Sequence, residues 1–326
     1  IVTLPLLTAG DTFTFNAFTQ TLTNKTLTSP TLTSPRINTT LTSTSMFAGF
    51  CQGRLTLTTA VPVTTADVTG ATTIYFTPYG GNLLALYDGT GVWTVYPFTE
   101  LSLALGTLTN ALPYDVFVYD NAGTPTLEFT AWTNGTTRAT ALVTQNGVLV
   151  RTAATTRRYL GTFYTTATTT TEDSLAKRFV WNYYNRVARP MRVLEATDSW
   201  TYTTATIRQA NAAAANQLDI VCGFAEDAID VRVYAQADNT LADTRTSSLI
   251  GEDSTTAAAT GSTRTDTRSD PNRTMQHHPT LITIPAVGRH FYAWLEESQA
   301  NGTTTWYGDR AIPGTNQSGI VGIWRA

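Results

Sequence analysis

Along most of the chain apolar side chains recur every second residue, which is the period of a half-buried strand rather than of a helix. Leu84, Leu86, Trp93 and Val95 alternate on either side of Asp88–Gly91 and predict a hairpin with a short glycine loop. Ala141 and Val143 face Val148 and Val150 across Asn146-Gly147, a dipeptide suited to a type I′ turn, and predict a second. Further turn signals at Asp120–Gly123 and Asn134-Gly135 have the spacing of a sandwich or barrel. Later, Trp200, Tyr202 and Thr204 alternate, and Ile220, Cys222 and Phe224 are expected to face Ile229, Val231 and Val233 across Ala225–Ala228. A strand from Arg289 to Glu297, a turn at Asn301-Gly302 and a strand through Trp306 follow.

Three stretches break the alternation. Between Thr171 and Arg189, Leu175, Phe179 and Tyr183 have helical spacing, while the dense aromatics of Phe179–Tyr184 favour a strand over Arg178–Arg186. From residue 238 to 276 apolar residues thin out and Thr, Ser, Asp and Arg take over, which predicts a long exposed insertion. Near the N-terminus the chain reads in fives: Thr21-Leu-Thr-Asn-Lys25, Thr26-Leu-Thr-Ser-Pro30, Thr31-Leu-Thr-Ser-Pro35, Arg36-Ile-Asn-Thr-Thr40.

That pentad places one apolar side chain per repeat, at Leu22, Leu27, Leu32 and Ile37. Five residues match neither the helical nor the strand period, and Pro30 and Pro35 forbid a continuous helix. A single extended chain so sparsely apolar cannot offset an ordering entropy of roughly 1–2 kcal/mol per residue. Several copies wrapped about a common axis would bring equivalent side chains together at each level, so the repeat predicts a multi-chain stalk over residues 19–46; the competing reading is a flexible Thr/Ser/Pro linker. The preceding segment, 1–18, is rich in apolar residues and strand-like, and is expected to be an attachment segment; the alternative is a strand added to the chain's own first domain.

Composition sharpens this picture. The chain has 326 residues, enough for an extension and two β-domains, which the pattern places at 47–166 and 167–326. Sixty-eight residues are Thr and only 14% are charged, so hydroxyl groups replace charges as the polar surface. A net charge of −3 offers nucleic acid no electrostatic attraction. No run of 18 apolar residues is present for a membrane span, and Ile1–Leu7 is too short and lacks a basic start for a leader. Cys51 and Cys222 match no metal spacing and read as isolated thiols.

Candidate chemistry is sparse. His277, His278 and His290 lack acidic or Cys partners at a ligand-like interval and read as loop histidines, so no metal or other cofactor is expected. Glu296-Glu297 and Glu252-Asp253 are adjacent pairs, and neighbouring side chains on a strand point to opposite faces, whereas glycoside cleavage needs two carboxyls facing across a sugar. No nucleophile elbow, phosphate loop or zinc-protease helix is present, and no catalytic residue is expected. Trp294, Trp306 and Tyr307 are candidate glycan contacts through their ring faces, with core packing as the favoured reading.

Several blocks also resemble a known family. The run TQTLTNKTLTSPTLTSPRIN (Thr19–Asn38) is similar to a repeat in tailed-bacteriophage fibre and appendage proteins. The block from Gly53 to Trp93, RRYLGTFYTT (Arg157–Thr166) and FVWNYYNRV (Phe179–Val187) resemble modules of the same virion structural proteins. The resemblance implies a homotrimeric, non-enzymatic fibre on the exterior of a phage particle, bound to other virion proteins through its N-terminal segment. A tail fibre engaging a host-surface glycan or protein is the favoured form and a head fibre or decoration protein the alternative. A polysaccharide-cleaving tailspike is the competing class, and a bacterial surface adhesin is a third. The expected architecture is all-β: an extended trimeric stalk followed by two β-sandwich or jelly-roll-like domains.

Overall fold

The dipeptide Asn146-Gly147 turns the chain as its sequence requires, with φ of 52° and 81°, and pairs Leu142–Gln145 with Val148–Arg151. A computed structural model of the chain describes residues 46–271, 273–310 and 316–326, and 41–43 as backbone. The hairpin expected around Asp88 is also present: Leu83–Tyr87 pairs with Trp93–Pro97, Tyr87 lying opposite Trp93. Its loop is held by Asp88, whose Oδ1 accepts from the backbone N–H of Thr90, Gly91 and Val92 at 2.7, 3.1 and 3.0 Å. Leu41–Ser43 pairs with the other edge of Trp93–Pro97, so the last part of the expected stalk segment joins a sheet. Leu22, Leu27, Leu32, Ile37 and the segment 1–18 lie outside the described residues.

The described residues are all-β, and they arrange as stacked, mainly antiparallel sheets. A six-stranded sheet is built on Pro113–Asn121 and Ala154–Tyr164, with Thr124–Ala131, the 142–151 hairpin and Val180–Asn182 beside them. One face of this sheet contributes Val116, Val118, Leu160 and Phe163 to a core shared with Leu55, Phe76, Leu84 and Leu86. Phe117 and Tyr159 join a second core with Leu218, Ile220, Val231, Trp294 and Trp324. Alternation along the two long strands thus feeds two cores, and a register shift at Tyr159/Gly161 lets both be filled. At Gly161 a Cβ would lie 2.1 Å from the Trp181 carbonyl oxygen, so only glycine fits that crossing.

The second core lies between two larger sheets. One runs Thr265–Arg268, Arg245–Glu252, Gly288–Ser298, Gln217–Cys222, Lys177–Arg178, Thr171–Asp173 and Val68–Ala71, with Arg208–Gln209 also on Gly288–Ser298. The other runs Ala188–Leu194, Gly319–Arg325, Ile229–Asn239, Thr304–Tyr307 and Ser199–Thr201, with Met275–His277 and Thr280–Thr283 also on Ile229–Asn239.

Four sequence expectations change here. The expected boundary between 166 and 167 is bridged, because Thr171–Asp173 pairs with Val68–Ala71 and the described residues belong to one compact unit. Strand 217–222 does not face strand 229–239 across a hairpin; they belong to different sheets, since alternation reports which side meets the core and not which strand is the partner. Segment 178–186 is strand only in part: Val180–Asn182 is extended, and the chain then bends through Asn185 at φ 54°. The insertion 238–276 contributes three strands, of which 245–252 is buried over Thr246–Gly251. Two of its hydroxyls are bonded inside: Ser248 Oγ accepts from Trp294 Nε1 at 3.0 Å, and Thr246 Oγ1 bonds His277 Nε2 at 3.2 Å. Among the described residues no helix is long and apolar enough to cross a membrane.

Candidate functional site

Strand 229–239 has an inner face of Ile229, Val231, Val233, Ala235 and Ala237, all buried, and an outer face that begins Asp230, Arg232, Tyr234. The register carries that outer face across four strands. Pro190, Ile323, Asp230 and Ile282 form one cross-strand row; Arg192, Val321, Arg232 and Thr280 form the next; Leu194, Gly319 and Tyr234 form a third. Four large apolar residues on this side are open to solvent: Ile282 at 68%, Ile323 at 51%, Leu194 at 47% and Tyr234 at 43%. They are four of the ten large apolar residues exposed among the described residues, gathered on one sheet face instead of scattered. Gly319 is covered by Leu194, and a shallow groove of about 310 Å³ runs past Pro190, Arg192, Arg232 and Ile323.

The charges on this face are few and lopsided. Arg232 holds Asp230 in a two-point pair, Nε to Oδ1 at 3.0 Å and Nη2 to Oδ2 at 2.7 Å. Arg192 and Arg325 make no ion pair among the described residues. Such a face suits a macromolecular partner, because it offers area and a few cations but no deep cleft.

The carboxylates that invited a catalytic reading are held in other ways. Glu296 lies in the interior, where its Oε2 accepts from Trp200 Nε1 at 2.7 Å and its Oε1 from Arg208 Nε at 2.8 Å and Asn211 N at 3.2 Å. Burial outweighs these donors and pushes its carboxyl up to about 7. Glu297, on the other face of the same strand, is bound by Arg245 at 2.9 Å and Arg264 at 2.6 Å. Glu252 accepts from the Tyr292 hydroxyl at 3.1 Å, and Asp253 bonds His290 Nδ1 at 2.7 Å.

The histidines read as loop residues are placed differently. His277 is fully buried in strand 275–277 against Trp306, and burial lowers its ring to about 4; His290 is buried in strand 288–298, while His278 is exposed beside Tyr234. Among the described residues no group of three His, Cys, Asp or Glu could hold a metal ion. Cys51 and Cys222 are buried free thiols, pushed up to about 11 and about 12 by desolvation.

Of the candidate glycan contacts, Trp294 and Trp306 are completely buried, which corrects their assignment: neither ring can meet a sugar. Tyr307 is partly open, but the Arg310 guanidinium covers its ring at 3.8 Å and its hydroxyl donates to Asp238. The three are therefore separate packing residues rather than one surface. Sequence reasoning missed the outer sheet face, although Leu281, Ile282 and Ile284 carry a usable signal: a strand apolar on both sides is a strand with something to cover both.

Fold and site together define an all-β protein of stacked sheets with an open apolar sheet face. No family model and no curated protein matches the chain. Among solved structures it is similar to two proteins of Bacillus thuringiensis. The insecticidal delta-endotoxin Cry8Ea1 is 7% identical, with 84% of this chain and 52% of that chain covered and a TM-score of 0.26. A Cry1Da tryptic core variant is 8% identical, with 87% and 54% covered and a TM-score of 0.21. The chain spans about half the length of these structures, and likeness at this level carries no argument about function.

Proposed function

We propose that this chain is a non-enzymatic structural protein of a bacteriophage particle, a homotrimeric fibre mounted on the virion exterior and engaged in host attachment. The observation that carries the reading is the outer sheet face with Ile282, Ile323 and Leu194 open to water, which fits a component of an assembly better than a lone globule. The phage assignment rests on the resemblance of Thr19–Asn38, Gly53–Trp93 and Phe179–Val187 to virion appendage modules. The pentad repeat supports a trimer, and segment 1–18 is the part that would join other virion proteins. The low charge, and the engagement of Glu296 by Arg208 and of Glu297 by Arg245 and Arg264, favour a scaffold over a tailspike hydrolase.

Antibody raised against the chain and imaged on intact phage particles tests this directly. Label on tail fibres is the expected result; label on the capsid assigns a head fibre, and particles that never bind the antibody contradict the reading. Incubation with host capsule or lipopolysaccharide is expected to leave the sugar chains at their original length, and shortened chains would favour the tailspike class.

A further inference from the structure

The open sheet face has a definite charge as well as a definite apolar area. Arg192, Arg232 and Arg325 against Asp230 leave it at +2, whereas the whole chain carries −3, so everything outside the face sums to −5. Two copies of this face pressed together would bring like charges into a desolvated contact, which opposes association. The same face against the acidic remainder of another copy would gain from both burial and charge.

We propose that the outer face of strands 188–194, 319–325, 229–239 and 280–283 seats a second copy of this chain through a different, acidic surface of that copy. This rests on the homotrimeric reading above. A contact between unlike surfaces repeats in one rotational sense, so each copy gives one face and receives one, and three copies close a ring. Ile282 and Ile323 are the apolar centre of the contact, and Arg192 and Arg325 supply the unpaired cations at its margin. Three strands of at least seven residues and one of four, about 4.8 Å apart, span roughly 400 Å² before side-chain relief. A standard interface takes about 800 Å² from each partner, so the face makes up about half of one.

The test uses the full chain. Cys51 and Cys222 are buried, so a thiol introduced by Ile282→Cys, and separately by Ile323→Cys, reports on the face alone, with Thr255→Cys in an exposed loop as reference. In the assembled protein a maleimide is expected to react at positions 282 and 323 at least about tenfold more slowly than at 255. The charge-reversing pair Arg192→Glu and Arg325→Glu is expected to lower the assembled fraction, because the face would then oppose an acidic partner. A trimeric mass with labelling at 282 and 323 as fast as at 255 would overturn the docking surface and leave the homotrimer standing. A protected thiol with assembly unchanged by the charge reversal would overturn the unlike-surface arrangement. A monomeric wild-type chain would defeat the homotrimer reading itself, and the docking surface with it.

Discussion

Strands 229–239 and 245–252 are close in sequence and opposite in chemistry. The later strand, Arg-Thr-Ser-Ser-Leu-Ile-Gly-Glu, is hydroxyl-rich and buried on both faces. The earlier one has an apolar inner face from Ile229 to Ala237, yet its outer face and that of its neighbours leave Tyr234, Ile282 and Ile323 in water. Hydropathy alone would reverse the two. What decides burial here is partnership: Ser248 and Thr246 enter the interior because Trp294, Leu295 and His277 take up their hydrogen bonds. The isoleucines lack an equivalent partner within the described chain, and a second copy is the one proposed.

The polar side of this contrast breaks most severely at Asp173. Its carboxylate binds Arg178 at 2.9 Å and Arg189 at 3.0 Å, with all three side chains nearly dry. Asp173→Ala strands two buried cations and is expected to cost about 3–5 kcal/mol in denaturant unfolding. A loss below about 1 kcal/mol would show that water reaches the arginines.

Next in size is the pH response of Glu296. Its folded carboxyl titrates at about 7 instead of 4.5, so between those values the folded chain holds a proton that the unfolded chain has released. Stability from this group therefore falls as pH rises through that window, by about 3 kcal/mol at about 1.4 kcal/mol per pH unit. His277 acts in the opposite sense: its ring titrates at about 4 instead of 6.5, so stability falls as pH drops between them. Glu296→Gln should gain on wild type by about 3 kcal/mol between pH 4.5 and 7. A difference that stays constant with pH would show that Arg208 and Trp200 hold the carboxylate ionised.

Ser248→Ala is a smaller, sharper probe. It leaves the buried Trp294 N–H without its acceptor and is expected to cost about 1–3 kcal/mol. A neutral result would mean that the hydroxyl-rich strand is buried for its shape and not for its hydrogen bonds.

Much of the strand content was legible because its signals are local. The turns at Asn146-Gly147 and Asp88–Gly91 carry their own geometry, so the hairpins around them follow from a dozen residues each. Pairing between distant strands was not legible: alternation in 217–222 and 229–239 identifies their inner sides but cannot say that the two belong to different sheets. The insertion is not legible as buried, because Thr and Ser suit a surface equally well and nothing local reveals the Trp294 and His277 partners that draw them inside. The open face escaped for the same reason. Its residues come from 188–194, 229–239, 280–283 and 319–325, and only the register brings them into rows.

The smallest effect on folding belongs to the outer face, and it gives the most direct test. Ile282→Thr with Ile323→Thr should change the unfolding free energy of the chain by no more than about 0.5 kcal/mol, since both side chains are already wet and Thr keeps the strand preference without adding charge beside Asp230. Light scattering of the full wild-type chain across a dilution series should give three times the 35.3 kDa chain mass. In the double variant the concentration needed for assembly should rise more than about a hundredfold, as burial of each isoleucine is worth about 1.5–3 kcal/mol. A wild-type chain that scatters as a monomer, or a double variant with an unchanged dilution curve, would contradict the assignment of this face to contact between copies.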